Sequence, residues 1–467
     1  MQNAYSVKVR FLAMSLLSNE QAPVVIDTAI MQAKFKASHS RPNSVFRICA
    51  GIFILAFAVR IGLLFATKSY LDREHSELVN VATSLANGRG FANPYGDTGP
   101  TAHMSPLYPL LLSIVYRWAG AGTPREIAQE IVSCFLGALT WGLIPLLGDI
   151  CRLDRRVGVG AALMGSILTI NRWAETKGSS EAAMASLAFL LVFILFMKSW
   201  YSQDFSSRAS IVVGLFSGLA ILVSASLGSA ILGLLLAGYF VFHSVYARKY
   251  LCFSLVVIVL IIATSLPWAL RNYFALGSLV WTRDNFPLEL MVSNNDYSVA
   301  TMDDNRTSGY MYHPFMSPEQ RTAVKSMGEI AFEKKLKGEA LDWIATHPKR
   351  FAYLTLQRIC LFWFPQMKRP IQTLGLALLT VASAPALIFL FAKRQPIAYG
   401  LVAVFVTYPI VYYVVQSHPR YVYPIQWTLY LLASQSFLLA YLSWKGEQIA
   451  ASDGTRFPRA TENLTSR

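Results

Sequence analysis

The chain is poor in charge. Only 14% of its 467 residues are Asp, Glu, Lys or Arg, against about a quarter in ordinary soluble proteins. A soluble domain with a hydrated surface is therefore excluded. Cysteine is scarce too. Cys49, Cys134, Cys151, Cys252 and Cys360 all lie in or beside apolar runs, with no CxxC and no close pair, which argues against a disulfide framework or a cysteine zinc site. There is no nucleotide-binding loop and no evident internal repeat of the kind that paired transporter halves show. Acidic residues are outnumbered, 26 against 41 Lys and Arg, for a formal net charge of +15. That balance can signal nucleic acid, but here the basic residues sit at the ends of apolar runs. The placement fits topology signals and anionic headgroups, and no nucleic-acid partner is expected.

What is abundant is apolar sequence: 54% of the chain is hydrophobic. Charge-free runs of roughly 15–22 residues read as membrane spans. Spans are expected at about 46–66, which holds Arg60, and at about 127–150, 156–171, 181–199, 209–225, 228–246, 251–270, 371–392, 396–416 and 421–444. Two further apolar pieces, 106–118 and 351–364, are short for a crossing and read as juxtamembrane helices. The expected fold class is an all-α polytopic membrane protein, a bundle of about 10–12 transmembrane helices with a small helical outer region. In chain order this gives a poorly ordered cytoplasmic leader (1–45), a transmembrane module (46–270) with a first outer loop (67–104), and an outer helical region (271–350). A C-terminal transmembrane module (351–445) and a polar cytoplasmic tail (446–467) complete it. With both short pieces lying along the membrane, Arg152, Arg155, Arg156, Lys198, Arg208, Arg248, Lys249, Lys393, Arg394 and Lys445 share the cytoplasmic side. The polar loops gather on the other. In the outer region Ser317 and Pro318 open a helix carrying Lys325, Glu329 and Glu333, and a second helix is expected over 338–346.

The chemistry-bearing residues cluster in those outer loops. Asp72, Glu74 and Glu77 crowd the first one. Glu74 and Glu77, three apart, would share a helix face, and paired carboxylates suit a general base; an acidic solvated loop is the alternative. His103 precedes the helix start at Ser105–Pro109, where a phosphate can sit. Arg271 at a span end and Arg420 in SHPRYVYP could each hold a phosphate oxygen bidentately or serve as interfacial anchors. Arg60 lies deep in the first span and requires an aqueous cavity or an anionic partner, unless it snorkels to the interface. Asp303 and Asp304 could bind a divalent metal or simply be solvated.

The stretches EHSELVNVATSLANGRGFANPYG and GPTAHMSPLYPLLLS resemble the first outer loop of the glycosyltransferase family 39 membrane proteins. These are GT-C enzymes related to protein O-mannosyltransferases, the lipid A aminoarabinose transferase and Rgt-type galacturonosyltransferases. Glu74 and Glu77 match the acidic positions, Gly88, Gly90 and Phe91 the glycine turn, and Pro106–Pro109 the end of the pattern. Glu74 stands where aspartate is usual, Leu78 where tyrosine is common, and Ser105 replaces a proline. PWALRNYFALGSLVWTRDNFPLEL, HPKRFAYLTLQRICLFWF and PRYVYPIQ resemble later segments. The resemblance implies an inverting transfer of a sugar from a polyprenyl-phosphate donor to a lipid, polysaccharide or protein acceptor. The setting would be a bacterial cytoplasmic membrane, with the site facing the periplasm. It implies Glu74 as base with Asp72 and Glu77 as alternates, and Arg420, Arg271 and His103 on the phosphate with help from Tyr421. Glu181 would contact the sugar or cap its helix, and Arg60 joins the candidate substrate-binding residues. No cofactor is required with certainty. A transporter or flippase of lipid-linked sugars and a non-catalytic scaffold are the competing readings.

Overall fold

The computed structural model describes residues 42–72, 76–307, 313–366 and 370–452. The leader, Glu74 and the end of the tail lie outside these. Among the described residues the architecture is helical, with only two isolated bridges, Ala92–Pro100 and Thr301–Ser417, in place of a sheet.

Among the described residues six helices are long and apolar enough to cross a membrane. They are α1 (Pro42–Thr67), α4 (Thr123–Ile150), α7 (Ala182–Ser202), α9 (Leu227–Leu276), α15 (Pro370–Ala392) and the stretch Pro396–Val414, made of α16 (Pro396–Thr407) and α17 (Ile410–Val414). At 1.5 Å per residue the 50-residue α9 would be about 75 Å long, more than twice a hydrocarbon core. It is bent at Tyr246, whose backbone (φ −122°, ψ 18°) is not helical. The two legs correspond to the expected spans at 228–246 and 251–270. Between them and the neighbouring α8 (Ser207–Val223), small residues permit close approach. A Cβ on Gly214 would lie 2.7 Å from Leu260 Cβ, and one on Gly218 2.7 Å from Thr264 Cβ. Glycines four apart on one face are the usual route to tight packing between membrane helices, where lipid supplies no hydrophobic drive.

Three expected spans fall outside these six: the 209–225 segment is the 17-residue α8, and the other two differ more. The 156–171 segment is a 13-residue helix, α5 (Arg155–Ile167), capped by Asp154 and ended by the non-helical Leu168. The last helix, α18, runs Tyr423–Ser452, after a 3-10 turn at Pro419–Val422. It is not among the six because Gln426, Thr428, Ser434 and Gln435 interrupt its apolar sequence. These polar residues are tolerated because this part of α18 is packed between α5, α7 and α15 and buried on every side. Ser434 Oγ donates to Val157 O at 2.9 Å, and the Leu429 carbonyl accepts from Ser383 Oγ at 3.1 Å.

The outer layer is built from the first loop and the region after α9. In the first loop α2 (Glu77–Ala86) starts at an N-cap, Ser76, whose hydroxyl accepts from Val79 N–H. The helix ends in a turn where Gly88 (φ 73°) and Gly90 (φ 77°) take the left-handed region that side chains resist. Leu78, Val79, Val81 and Ala82 pack on Phe91 and on Tyr108, Leu112 and Tyr116 of α3 (Leu107–Ala119). The remaining short helices are α6 (Arg172–Thr176), α10 (Phe286–Ser293), α11 (Met302–Thr307), α12 (Pro318–Met327), α13 (Glu329–Thr346) and α14 (Pro348–Trp363). Ser317 caps α12 through Gln320 N–H, with Pro318 in its first turn. The expected helix boundary near residue 338 is instead at Gly328 (φ 82°), and α13 runs through Gly338. Gly338 is tolerated because it lies on the exposed face. The opposite face, Glu329, Phe332, Glu333, Leu336 and Ala340, is buried. It shares a small core with Leu288, Met291, Val324 and, from the first loop, Tyr95.

Candidate active site

The first loop is fastened at both ends by cations. Lys177 Nζ donates to the carbonyls of Ser69 (2.7 Å) and Asp72 and lies 3.4 Å from Glu130. Arg271 donates to the carbonyls of Phe91 and Thr101, each at 2.7 Å, and its guanidinium lies 5.3 Å and 5.0 Å from the ring centres of Phe91 and Trp268. Backbone hydrogen bonds from Asn93 to Gly99 and from Thr101 to Phe91 close the loop on itself.

Beneath this layer lies a cavity of about 650 Å³. Its acidic lining is Glu77, Glu181, Glu289 and Asp303; its basic lining is Arg283, Arg306 and Arg420. His103, His313 and His418 and the rings of Trp173, Tyr412 and Tyr421 complete the polar and aromatic walls. Glu77 reaches it from the first turn of α2, and its Oε1 lies 3.6 Å from His313 Nε2. Glu181 reaches it from the start of α7, 3.7 Å from Arg283. Arg420 is carried on the 3-10 turn before α18, its guanidinium 5.7 Å from the centre of Trp173 and 5.4 Å from that of Tyr421. Tyr421 stacks on Tyr412 at 4.5 Å. Among the described residues Arg420 has no carboxylate within ion-pairing distance, so its planar fork is available to an oxyanion.

The sequence-derived candidates therefore divide. Glu77, His103, Glu181, Arg420 and Tyr421 line one cavity. Glu74 lies outside the described residues. Asp72 is exposed away from the cavity and contributes its carbonyl to Lys177. Arg271 is committed to the loop carbonyls rather than the cavity. Arg60 is fully buried and pairs with Glu175 at 2.7 Å, also donating to the carbonyls of Ala56, Gly165 and Ser166. It is the anionic-partner alternative that the structure realises, so this arginine has no fork left for substrate. Asp304 accepts from the Thr301 hydroxyl at the start of α11, while Asp303 faces the cavity.

Several residues escaped sequence reasoning. Arg283 and Glu289 stand within WTRDNFPLEL, but nothing in their spacing marks them as cavity-facing. Glu329 and Glu333 read as part of a charged outer helix with no functional role, although they fall at helical spacing with Phe332, Leu336 and Ala340. Glu329 accepts from Thr101 Oγ1 and from Ala102 N at 2.6 Å, and Glu333 from Leu288 N at 2.9 Å. Burial pushes the Glu333 carboxyl up to about 9, with Asp284 adding to the shift. Burial and the facing Asp284 carboxylate raise Glu329 to about 8, and burial raises Asp284 to about 6. His103 is held well below its usual value by burial, reinforced by Arg283 and His313. Its ring accepts or donates one hydrogen bond with Tyr95 Oη, 2.9 Å from Nδ1.

No protein-family model matches the chain, and no curated protein matches it in sequence. Solved structures do match in fold. The oligosaccharyltransferase of Archaeoglobus fulgidus in its apo form aligns with a TM-score of 0.53 at 12% identity, over 88% of this chain and 52% of that one. The same enzyme, AglB, with an inhibitory peptide and a dolichol-phosphate gives 0.53 at 12%, with the same coverage. Tethered to an acceptor peptide containing an NVT sequon, it gives 0.51 at 11%. The chain has a GT-C-type membrane fold. It spans about half the length of the solved structures it matches. Within this fold the cavity lies where the first outer loop, the start of α7 and the turn before α18 meet.

Proposed function

We propose that the protein is a membrane glycosyltransferase that moves a sugar from a polyprenyl-phosphate donor to an acceptor on the outer face of a bacterial cytoplasmic membrane, with inversion. The observation that carries this reading is one cavity lined at once by carboxylates, Glu77 and Glu181, and by the guanidinium of Arg420, which has no carboxylate partner among the described residues. The fold likeness to an oligosaccharyltransferase captured with a dolichol-phosphate supports a lipid-linked phosphate donor. The family 39 resemblance of the first loop supports a single-sugar, hexosyl or pentosyl, transfer.

In this scheme the acceptor oxygen or nitrogen attacks the anomeric carbon. The bond from that carbon to the phosphate oxygen breaks, and the phosphate leaves with the electron pair. A first-loop carboxylate takes the acceptor proton. Glu74 is the base the family resemblance implies, and Glu77, which lines the cavity, is the alternate. Arg420, backed by Tyr421 and Trp173, stabilises the departing phosphate, whose charge grows as the bond breaks. Glu181, oriented by Arg283, hydrogen-bonds sugar hydroxyls.

The test uses purified protein in lipid with radiolabelled polyprenyl-phosphate sugars, comparing wild type with Glu77→Gln, Glu74→Gln and Arg420→Ala. The reading expects wild-type turnover, a glutamine variant that binds donor without turning it over, and weakened donor binding in Arg420→Ala. Absence of donor binding by wild type, or wild-type behaviour of all three variants, would refute it.

A further inference from the structure

A second cluster of ligating groups lies in the outer layer. His103, Asp284 and Glu333 each bring one potential ligand atom to within 4.8 Å of the others. They come from three separate segments: the first loop, the stretch entering α10, and α13. Both carboxylate oxygens of Asp284 are buried and accept no hydrogen bond. The Asp284 backbone is fixed by its own N–H, which donates to Ala102 O at 3.1 Å, so the side chain is held in place against the loop. Glu329 presses a further carboxylate against Asp284 while gripping Thr101 and Ala102. Among the described residues none of these three carboxylates has a Lys or Arg partner.

Such an arrangement is costly as it stands. Three buried carboxylates cannot all ionise side by side without a counter-charge. Either protons or a cation must supply it. Protons would neutralise the carboxylates, with Glu329 sharing one with Asp284, but would give the histidine no part. A cation engages all three residues. One imidazole with two carboxylates is a donor set suited to zinc or manganese, with ligand distances near 2.0–2.2 Å. Three protein ligands also leave a position for water. The hydroxyl of Tyr95 sits against the imidazole as the second-layer partner that orients a metal-bound histidine.

We propose that His103, Asp284 and Glu333 form a binding site for a divalent transition-metal ion of the zinc or manganese class. The ion fastens the first outer loop to the outer helical region above the cavity. Because His103 also lines the cavity, the metal fixes one part of the cavity wall. The site is independent of the sugar-transfer reading and stands or falls on metal content.

The test uses the full chain in lipid nanodiscs, stripped with EDTA and then titrated with Zn²⁺ or Mn²⁺ alone. Bound metal is measured by elemental analysis after desalting, ligation by X-ray absorption at the metal edge, and melting temperature by scanning fluorimetry. The expected result is one retained equivalent, a spectrum with imidazole and oxygen donors, and a melting temperature that rises on loading. Asp284→Asn and Glu333→Gln should weaken retention tenfold or more. Glu339→Gln, on the exposed face of the same helix, should bind as wild type. Should either ligand variant fail to fold, the stoichiometry and spectrum of the wild type decide alone. Absence of stoichiometric uptake of either ion, or ligation without histidine, overturns the proposal and leaves a proton-sharing carboxylate cluster.

Discussion

Removing one partner of the Arg60–Glu175 pair should destabilise the bundle far more than removing both. Arg60 Nη2 lies 2.7 Å from Glu175 Oε2, and neither side chain is exposed. At that separation and an effective dielectric near 20 the attraction is about 6 kcal/mol. Desolvating two ions costs several kcal/mol each, so the intact pair is close to neutral in net terms. Its loss by halves is not neutral. Glu175→Gln leaves a guanidinium buried without its anion. Arg60→Met leaves a carboxylate in that position and also strips donors from the carbonyls of Ala56, Gly165 and Ser166. Each single change should cost about 3–5 kcal/mol, while Arg60→Met/Glu175→Gln recovers much of that loss. The assay is a double-mutant cycle of reversible unfolding in lipid bicelles, read by tryptophan fluorescence. Strictly additive effects, or a Glu175→Gln cost below about 1 kcal/mol, would refute the claim that this pair is a buried, mutually dependent strut.

Further outcomes follow from the same structure. Glu77→Gln should lower turnover by about 10²–10⁴-fold with donor binding retained if Glu77 is the base, measured by single-turnover sugar transfer. Arg271→Met should release the first loop from its two carbonyl contacts, speeding limited proteolysis within 87–101 while the helical bundle melts as before. Gly218→Val should cost about 1–3 kcal/mol by overpacking against Thr264. Gly218→Ser, with a smaller clash, should cost less by the same unfolding assay. Gly328→Ala should cost about 1–2 kcal/mol, because its φ of 82° strains any L side chain.

The sequence by itself determined the solvent of this protein and much of its outline. Charge-free runs leave the backbone no partner but itself in lipid, which dictates helices, and the long apolar elements of the structure fall close to where those runs lie. Local chemistry was equally legible. Ser317 with Pro318 starts a helix, and Gly88 with Gly90 makes a turn, because capping and positive φ depend on near neighbours. Glu77, His103, Glu181, Arg420 and Tyr421 are also candidates from the chain alone, and the structure sets them along one cavity. What the tertiary structure alone decided is which of these charges meet. Along the chain Arg271 and Arg420 read alike, as cations at span ends, and Arg60 as one deep in a span that requires a cavity or an anion unless it snorkels; the structure commits Arg60 to Glu175 and Arg271 to backbone carbonyls, and turns Arg420 to the cavity. Glu329 and Glu333 read as charges on an outer helix without a role until the docking of α13 under the first loop placed them beside Asp284 and His103. The physical reason is common to both cases. A side chain's role depends on which opposite charge or carbonyl lies within a few ångströms, and contacts that span more than a hundred residues are set by how the helices pack.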